Sequence, residues 1–201
     1  MPTKGWCARA MAARLYTGQG DDGYTGLLGK GRLPKYHLRP EACGQLDELQ
    51  AVLGVCRAGP LSQHGRQLLM AIERDLYQIM AELASDPAAP PPGVGLAAER
   101  VRWLESATDQ LTQALPPIKN FVLPGDSQAG ALVNLARAVT RRVERVTARL
   151  VHQEERHASQ ALPYLNRLSS LLFALGRYED MQAGVEQPSL ARAGDQATTR
   201  A

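Results

Sequence analysis

The hydrophobic pattern of the chain predicts five long helices. Apolar residues recur every three or four positions in five stretches, which is the spacing that lines one face of an α-helix. The first stretch begins after Pro40 and ends near Gly59, and the others cover about 62–85, 97–115, 131–150 and 159–183. Convincing strand alternation is missing from the sequence. The pattern therefore predicts an all-α bundle whose short connections make neighbouring helices mostly antiparallel.

The segments outside these helices divide the chain into three parts. Residues 1–36 form an irregular glycine-rich N-terminal segment, because six glycines between positions 17 and 31 exclude a stable helix. Residues 37–183 form the predicted helical bundle domain, in which the proline-rich stretch 86–95 is a stiff, solvent-facing connector. Residues 184–201 are small and polar, which predicts a flexible tail.

The fourth helix is unusual because its polar face carries arginines at helical spacing. Arg137, Arg141 and Arg145 lie four residues apart and therefore stack beside the apolar stripe. Like charges at this spacing destabilise a helix by roughly a few tenths of a kcal/mol per pair. Two interpretations stay open: a solvated ridge partly neutralised by Glu144, or a clamp for a phosphate or a partner's carboxylate.

Composition narrows the classes of function. A chain of 201 residues with 44% hydrophobic and 5% aromatic residues fits a single domain with an aliphatic core. The net charge is only +3 and basic residues are not interleaved with aromatics, so we expect no nucleic-acid partner. Apolar runs fall short of the roughly 20 residues that span a bilayer, so we expect no membrane association.

The cysteines and the N-terminus predict a cytoplasmic protein. Cys7, Cys43 and Cys56 are odd in number and widely spaced, which is typical of free thiols in a reducing compartment. Residues 1–14 are basic but lack the apolar stretch of a secretory signal.

The glycine-rich segment is a candidate phosphate-binding loop. Residues 17–23 read TGQGDDG, and glycines allow backbone N–H groups to approach an anion closely. The segment is not a Walker loop, since no Gly-Lys-Ser/Thr follows it. A mobile turn is the alternative interpretation.

Metal and nucleophile motifs are weak. Glu154 and His157 form half of a di-iron Glu-x-x-His motif, but a second copy is absent, so we expect a surface cluster and no protein-held metal. Asp47 and Glu48 alone resemble solvated helix charges. We find no arrangement typical of a catalytic serine or cysteine.

Five sequence blocks in a fixed order carry a family resemblance. They are YTGQGDDGYTGL from Tyr16, RPEACGQLDEL from Arg39, FVLPG from Phe121, ARAVTRRVER from Ala136 and LNRLSSLLF from Leu165. Over roughly Leu15 to Arg177 the chain resembles the PduO-type ATP:cob(I)alamin adenosyltransferases. The family fold is a five-helix bundle that assembles as a homotrimer with active sites between subunits, which agrees with the helix count above.

The resemblance implies a reaction and its substrates. Co(I) of reduced cobalamin would attack C5′ of ATP and release triphosphate, with Mg²⁺ bound to the phosphates. The adenosylcobalamin formed would pass to an adenosylcobalamin-dependent enzyme.

The resemblance also implies site residues. The ATP-binding residues would be Thr17, Gly18, Gln19, Gly20, Asp21, Gly23, Lys35, Arg141, Glu144 and Asn166. Arg141, Asn166 and Phe121 would be catalytic, and Phe121 and Phe173 would form an apolar wall beside the corrin. Asp47 and Arg137 would form a salt bridge between subunits.

The chain departs from the family pattern at four positions in or beside three of these motifs. Gly18 and Gln19 stand where a cation and a hydroxyl residue are usual, Asp126 replaces a glycine, and Ser170 replaces an aspartate. Two other classes therefore stay open: a non-catalytic carrier or sensor that binds cobalamin or nucleotide, and a helical assembly module without a ligand.

Overall fold

The computed structural model describes residues 16–28, 31–118, 120–156 and 158–192. Within these ranges the chain forms five helices, which confirms the predicted all-α bundle. They are α1 (Leu38–Ala58), α2 (Gln63–Ala84), α3 (Ala98–Gln113), α4 (Gln128–Gln153) and α5 (Ala161–Gln182). Cys7 and His157, which the sequence analysis singled out, lie outside the described residues.

Leucine and other aliphatic side chains hold the bundle together. Helix α5 lies between α3 and α4, and α4 packs in turn on α1, which packs on α2. Each helix contributes its predicted apolar stripe to one core, and Leu46, Leu69, Leu104 and Leu165 are fully buried in it. Helices α4 and α5 share the most extensive helix–helix contact of the bundle. Their polar edges therefore run side by side along the outside of the bundle.

Two Ser-Gln-x-Gly sequences start α2 and α4 in the same way. Ser62 and Ser127 accept hydrogen bonds from the backbone N–H of Gly65 and Gly130, at 3.0 and 2.9 Å. Both hydroxyls also donate to buried α5 carboxylates, those of Glu179 and Asp180. A Cβ at Gly65 or Gly130 would collide with those carboxylate oxygens, so a larger residue would displace the carboxylate from the capping serine. Serine capping extends α4 to Gln128, three residues earlier than its apolar stripe indicates.

A charged cluster crosses the core between α2, α3 and α5. Arg100 binds Asp75 through both carboxylate oxygens, with Nη2 2.7 Å from Oδ2. The buried Tyr164 hydroxyl donates to the same Oδ2 at 2.7 Å. Burial raises the pKa of Tyr164, and the Asp75 carboxylate raises it further, so the phenol stays protonated and donates. The Arg100 guanidinium lies 4.0 Å above the Trp103 ring.

The glycine-rich segment contains two short strands that the sequence analysis missed. Strands β1 (Tyr24–Gly26) and β2 (Arg32–Pro34) pair antiparallel, with Thr25 opposite Leu33. Three-residue strands are too short to show a period of two, so the hydrophobic pattern gave no sign of them.

Part of the chain that follows α5 packs back against the bundle. Leu190 forms an antiparallel bridge with Val122, and Ser189 binds Asp126. The sequence predicted a flexible tail from residue 184. These contacts hold part of that segment against the bundle, and amino-acid composition cannot predict them.

The two described cysteines are free thiols. Cys56 donates to the carbonyl oxygen of Leu132 at 3.2 Å, whereas Cys43 is partly buried beside Met80. Burial raises the pKa of each thiol to about 11, so both are protonated at neutral pH. In the part of the chain described here, no helix is long and apolar enough to cross a membrane.

Candidate active site

A groove between α4 and α5 forms the main candidate site. Its volume is about 610 Å³, which falls in the range of small-molecule sites. It is lined by Arg141, Glu144, Arg145 and Ala148 from α4, and by Leu162, Pro163, Asn166 and Arg167 from α5. We call this groove the α4/α5 pocket. Residues three or four apart on one helix share a face. The pocket forms where such a face of α4 lies beside such a face of α5.

Hydrogen bonds fix the amide of Asn166 in the α4/α5 pocket. Its Nδ2 donates to Oε1 of Glu144 at 2.8 Å, and its Oδ1 accepts from Nη1 of Arg167 at 2.9 Å. Arg167 is itself held by Glu105 on α3, at 2.8 Å. The pocket therefore presents a preorganised amide beside a single carboxylate.

Arg141 is the cation of this pocket whose guanidinium has no partner among the described residues. Its guanidinium makes no hydrogen bond or ion pair within the described part of the chain, whereas Arg142 binds Glu48. Arg145 donates from Nη1 to the backbone carbonyl of Arg141 at 2.9 Å. Arg141 is thus free to bind an anionic group, as the clamp interpretation requires.

Arg137 departs from the other two arginines. It is half-buried, its Nε donates to Oδ1 of Asn134 at 2.8 Å, and it does not line the α4/α5 pocket. Asp47 on α1 is exposed and makes no contact of its own with described residues. Within one protomer the predicted Asp47–Arg137 pair is not formed.

The loop of residues 16–23 and Lys35 come together. Two successive turns build the loop, with the N–H of Asp21 bound to the carbonyl of Gly18 and that of Gly23 bound to Gly20. The Lys35 side chain lies over the loop, since a Cβ on Gly20 would lie 3.0 Å from its Nζ. Gly18 has φ +71°, a left-handed conformation that disfavours the usual cationic residue.

Arg32 is a loop-organising residue that the sequence analysis missed. Its guanidinium binds both carboxylate oxygens of Asp22, at 2.9 and 2.7 Å, and the carbonyl oxygens of Tyr24 and Gln19. The hydrogen bond and the charge of Asp22 raise the pKa of Arg32, whereas hydrogen bonds from the Arg32 side chain and the Tyr24 backbone lower the pKa of Asp22. Only the β1–β2 pairing places Arg32 beside the loop, and a lone arginine in a glycine-rich sequence gives no such signal.

The loop and the α4/α5 pocket are separate within one protomer. The described residues of the loop and Lys35 are not among those that line the pocket. The predicted ATP residues therefore fall into two groups, one on the N-terminal segment and one on α4 and α5.

An aromatic surface continues from the α4/α5 pocket. Asn166, Ser170 and Phe173 lie on one exposed face of α5, with Phe173 two helical turns, or about 10 Å, from Asn166. The Phe173 side chain is 46% exposed and borders a small cavity with residues 122–124. Phe121, on the adjoining segment, is 88% exposed. Exposed phenylalanines at this position favour an apolar ligand over water.

Groups able to hold a metal ion through three or more His, Cys, Asp or Glu side chains are not found among the described residues. Glu154, half of the di-iron motif, instead pairs with Arg39 and Arg156. Glu144 is the carboxylate of the α4/α5 pocket. One carboxylate together with phosphate oxygens fits Mg²⁺, which typically binds proteins through one or two carboxylates and keeps several waters.

The fold and site together define a five-helix bundle protein with a cationic pocket between two long helices. The family model for cobalamin adenosyltransferase matches residues 15–179. The chain therefore belongs to the cobalamin adenosyltransferase family.

Relatives and solved structures agree with this assignment. Corrinoid adenosyltransferase PduO of Salmonella typhimurium is 40% identical over 171 residues, which cover 84% of this chain and 50% of that protein. Corrinoid adenosyltransferase of Bacillus subtilis is 38% identical over 176 residues, covering 86% and 89%. The chain thus spans about half the length of the PduO relatives, and most of the Bacillus one.

The bundle also superposes on an enzyme of known structure. A variant PduO-type ATP:corrinoid adenosyltransferase from Lactobacillus reuteri, complexed with cobalamin and ATP, matches with a TM-score of 0.80. The two chains are 30% identical, and the match covers 89% of this chain and 99% of that one.

Proposed function

We propose that this protein transfers the 5′-deoxyadenosyl group of ATP to cob(I)alamin, forming adenosylcobalamin and releasing triphosphate. The observation that carries the proposal is the unpaired Arg141 guanidinium beside the fixed Asn166 amide, on the same edge of the bundle as exposed Phe173. Family membership supports it, as does the Lactobacillus reuteri relative complexed with cobalamin and ATP.

The reaction balances as a nucleophilic substitution. The electron pair of Co(I) forms the Co–C5′ bond while the C5′–O bond breaks, and the bonding pair leaves with the triphosphate. Negative charge grows on the leaving oxygen, so fixed cations and N–H donors near it lower the barrier. Arg141 supplies such a cation, and the Asn166 amide orients the nucleotide. Glu144 would hold Mg²⁺ on the phosphates, where the ion neutralises charge.

The phenylalanines have a different role in this proposal. Cob(I)alamin is a strong nucleophile, and a lower axial ligand disfavours reduction of the cobalt to Co(I). Phe121 and Phe173 present an apolar surface that offers cobalt no ligand atom. We propose that the corrin lies against them, about two helical turns from Asn166.

A second protomer would complete the ATP site. The loop of residues 16–23 and Lys35 lie away from the α4/α5 pocket in one protomer, yet both groups carry the features of a phosphate site. We propose a homotrimer in which the loop of one subunit faces the α4/α5 pocket of the next. Asp47, which is exposed and without a bond to the described residues, would then pair with the neighbour's Arg137.

A single-turnover assay tests the reaction. Protein in excess over cob(I)alamin, with ATP and Mg²⁺, is expected to convert the corrinoid fully to a species with the absorption spectrum of adenosylcobalamin. Triphosphate should appear in equal amount. A corrinoid that binds but stays unconverted would identify a carrier, and protein that binds neither substrate would leave only the assembly module.

A charge swap tests the trimer. Asp47→Arg is expected to weaken subunit association at least about tenfold, because it places like charges together at the interface. The double variant Asp47→Arg with Arg137→Asp should restore the trimer, as measured by sedimentation velocity. Asp109→Arg, at an exposed α3 position, is the control that should associate normally. A trimer unaffected by Asp47→Arg, or not rescued by the swap, would contradict this pairing.

A further inference from the structure

Asp126 binds the chain that follows α5. Its Oδ2 accepts from the backbone N–H of Ser189 at 2.8 Å, and its Oδ1 accepts from the Ser189 hydroxyl at 2.6 Å. Hydrogen bonds to an ionised acceptor are stronger than neutral ones. The hydrogen bonds from Ser189 lower the pKa of Asp126, and the charge of Arg177 lowers it further. At neutral pH Asp126 is therefore ionised and accepts two hydrogen bonds from Ser189.

The anchored segment, residues 188–191, pairs with residues 121–123 through an isolated antiparallel β-bridge. The N–H of Leu123 donates to the carbonyl of Ser189, and the N–H of Ala191 donates to the carbonyl of Phe121, each at 2.8 Å. Val122 and Leu190 are the bridged pair between them. With the two bonds of Asp126, four hydrogen bonds join the two segments.

Phe121 depends on these bonds for its position. Its side chain is 88% exposed, so side-chain packing does little to hold it within the protomer. The backbone hydrogen bond at its own carbonyl, together with that at Leu123, fixes the segment that carries it. Glycine, the usual family residue at position 126, has no side chain to make such an anchor.

We propose that Asp126 is a positioning residue which, through Ser189, docks residues 188–191 as a bridged extended segment that holds Phe121 in place at the corrin surface. The corrin part of this inference rests on the proposed function. Phe121 lies on the connection between α3 and α4 rather than on a helix, so its backbone is held by hydrogen bonds to the docked segment.

Two measurements test the inference with Asp126→Ala, Ser189→Ala and the double variant. Amide hydrogen exchange at Leu123 and Ala191 is expected to quicken about tenfold in Asp126→Ala, because the docked segment loses its anchor. In single-turnover and steady-state assays the KM for cob(I)alamin should rise several-fold while the KM for ATP stays unchanged. The double variant should resemble Asp126→Ala, since the two side chains act through one contact.

The control is Asp109→Ala, which removes an exposed carboxylate on α3 that binds no described residue and should change neither measurement. Unchanged exchange in Asp126→Ala would show that Asp126 does not anchor residues 188–191. Faster exchange with an unchanged corrinoid KM would overturn the positioning role. If the wild-type protein fails to adenosylate cobalamin while Asp126→Ala still loses exchange protection, the proposed function alone would be refuted.

Discussion

Replacing Arg141 by alanine is expected to lower single-turnover adenosylation by about 10²- to 10³-fold, the loss typical of one transition-state donor. The charge on the departing triphosphate grows during the reaction, so a cation bound there stabilises the transition state more than the ground state. The KM for ATP should rise less than kcat falls. The free energy of unfolding should change by less than about 0.5 kcal/mol, because the side chain is exposed and unpaired.

Arg149→Ala is the matched control for this variant. Arg149 lies two helical turns further along α4, is exposed, and does not line the α4/α5 pocket. It should lose little activity although it removes the same charge. Arg141→Lys should recover part of the rate, since it keeps the charge but not the planar donor geometry. Equal loss of activity and stability in Arg141→Ala would assign the residue a structural role instead.

Asp75→Ala is expected to destabilise the bundle by about 3 kcal/mol, the scale for removing one partner of a buried ion pair. The change strands the buried Tyr164 hydroxyl without an acceptor and leaves Arg100 without its bidentate partner. Denaturant unfolding at a fixed protomer concentration measures the loss, because subunit association shifts apparent stability.

Two further variants separate the contribution of the Tyr164 hydrogen bond from that of the Asp75–Arg100 ion pair. Tyr164→Phe removes only one hydrogen bond to Asp75 and should cost about 1 kcal/mol. Asp75→Asn keeps an acceptor for the tyrosine but loses the charge facing Arg100, so it should fall between the other two. An Asp75→Ala protein as stable as wild type would show that the cluster orders the core without stabilising it.

Some residues of the α4/α5 pocket could be predicted from the sequence and others could not. Arg141, Arg145 and Glu144 follow from the helical period, because positions four apart on one helix share a face. Asn166 came from the family resemblance, and its hydrogen bond to Glu144 shows that the two helices bring these positions together. Arg167 and Glu105 were missed, since their pairing joins α3 to α5 across 62 residues.

The pattern of the sequence by itself determined the five helices, their buried faces and the family of the protein. These features are local or periodic: a helix is encoded within its own residues, and its apolar stripe says which side is buried. Tertiary structure alone decided that Asn166 binds Glu144, that Arg32 organises the loop, and that Ser189 docks on Asp126. Each of these depends on which distant segments the packed bundle brings within hydrogen-bond distance, and no periodicity along the chain records that.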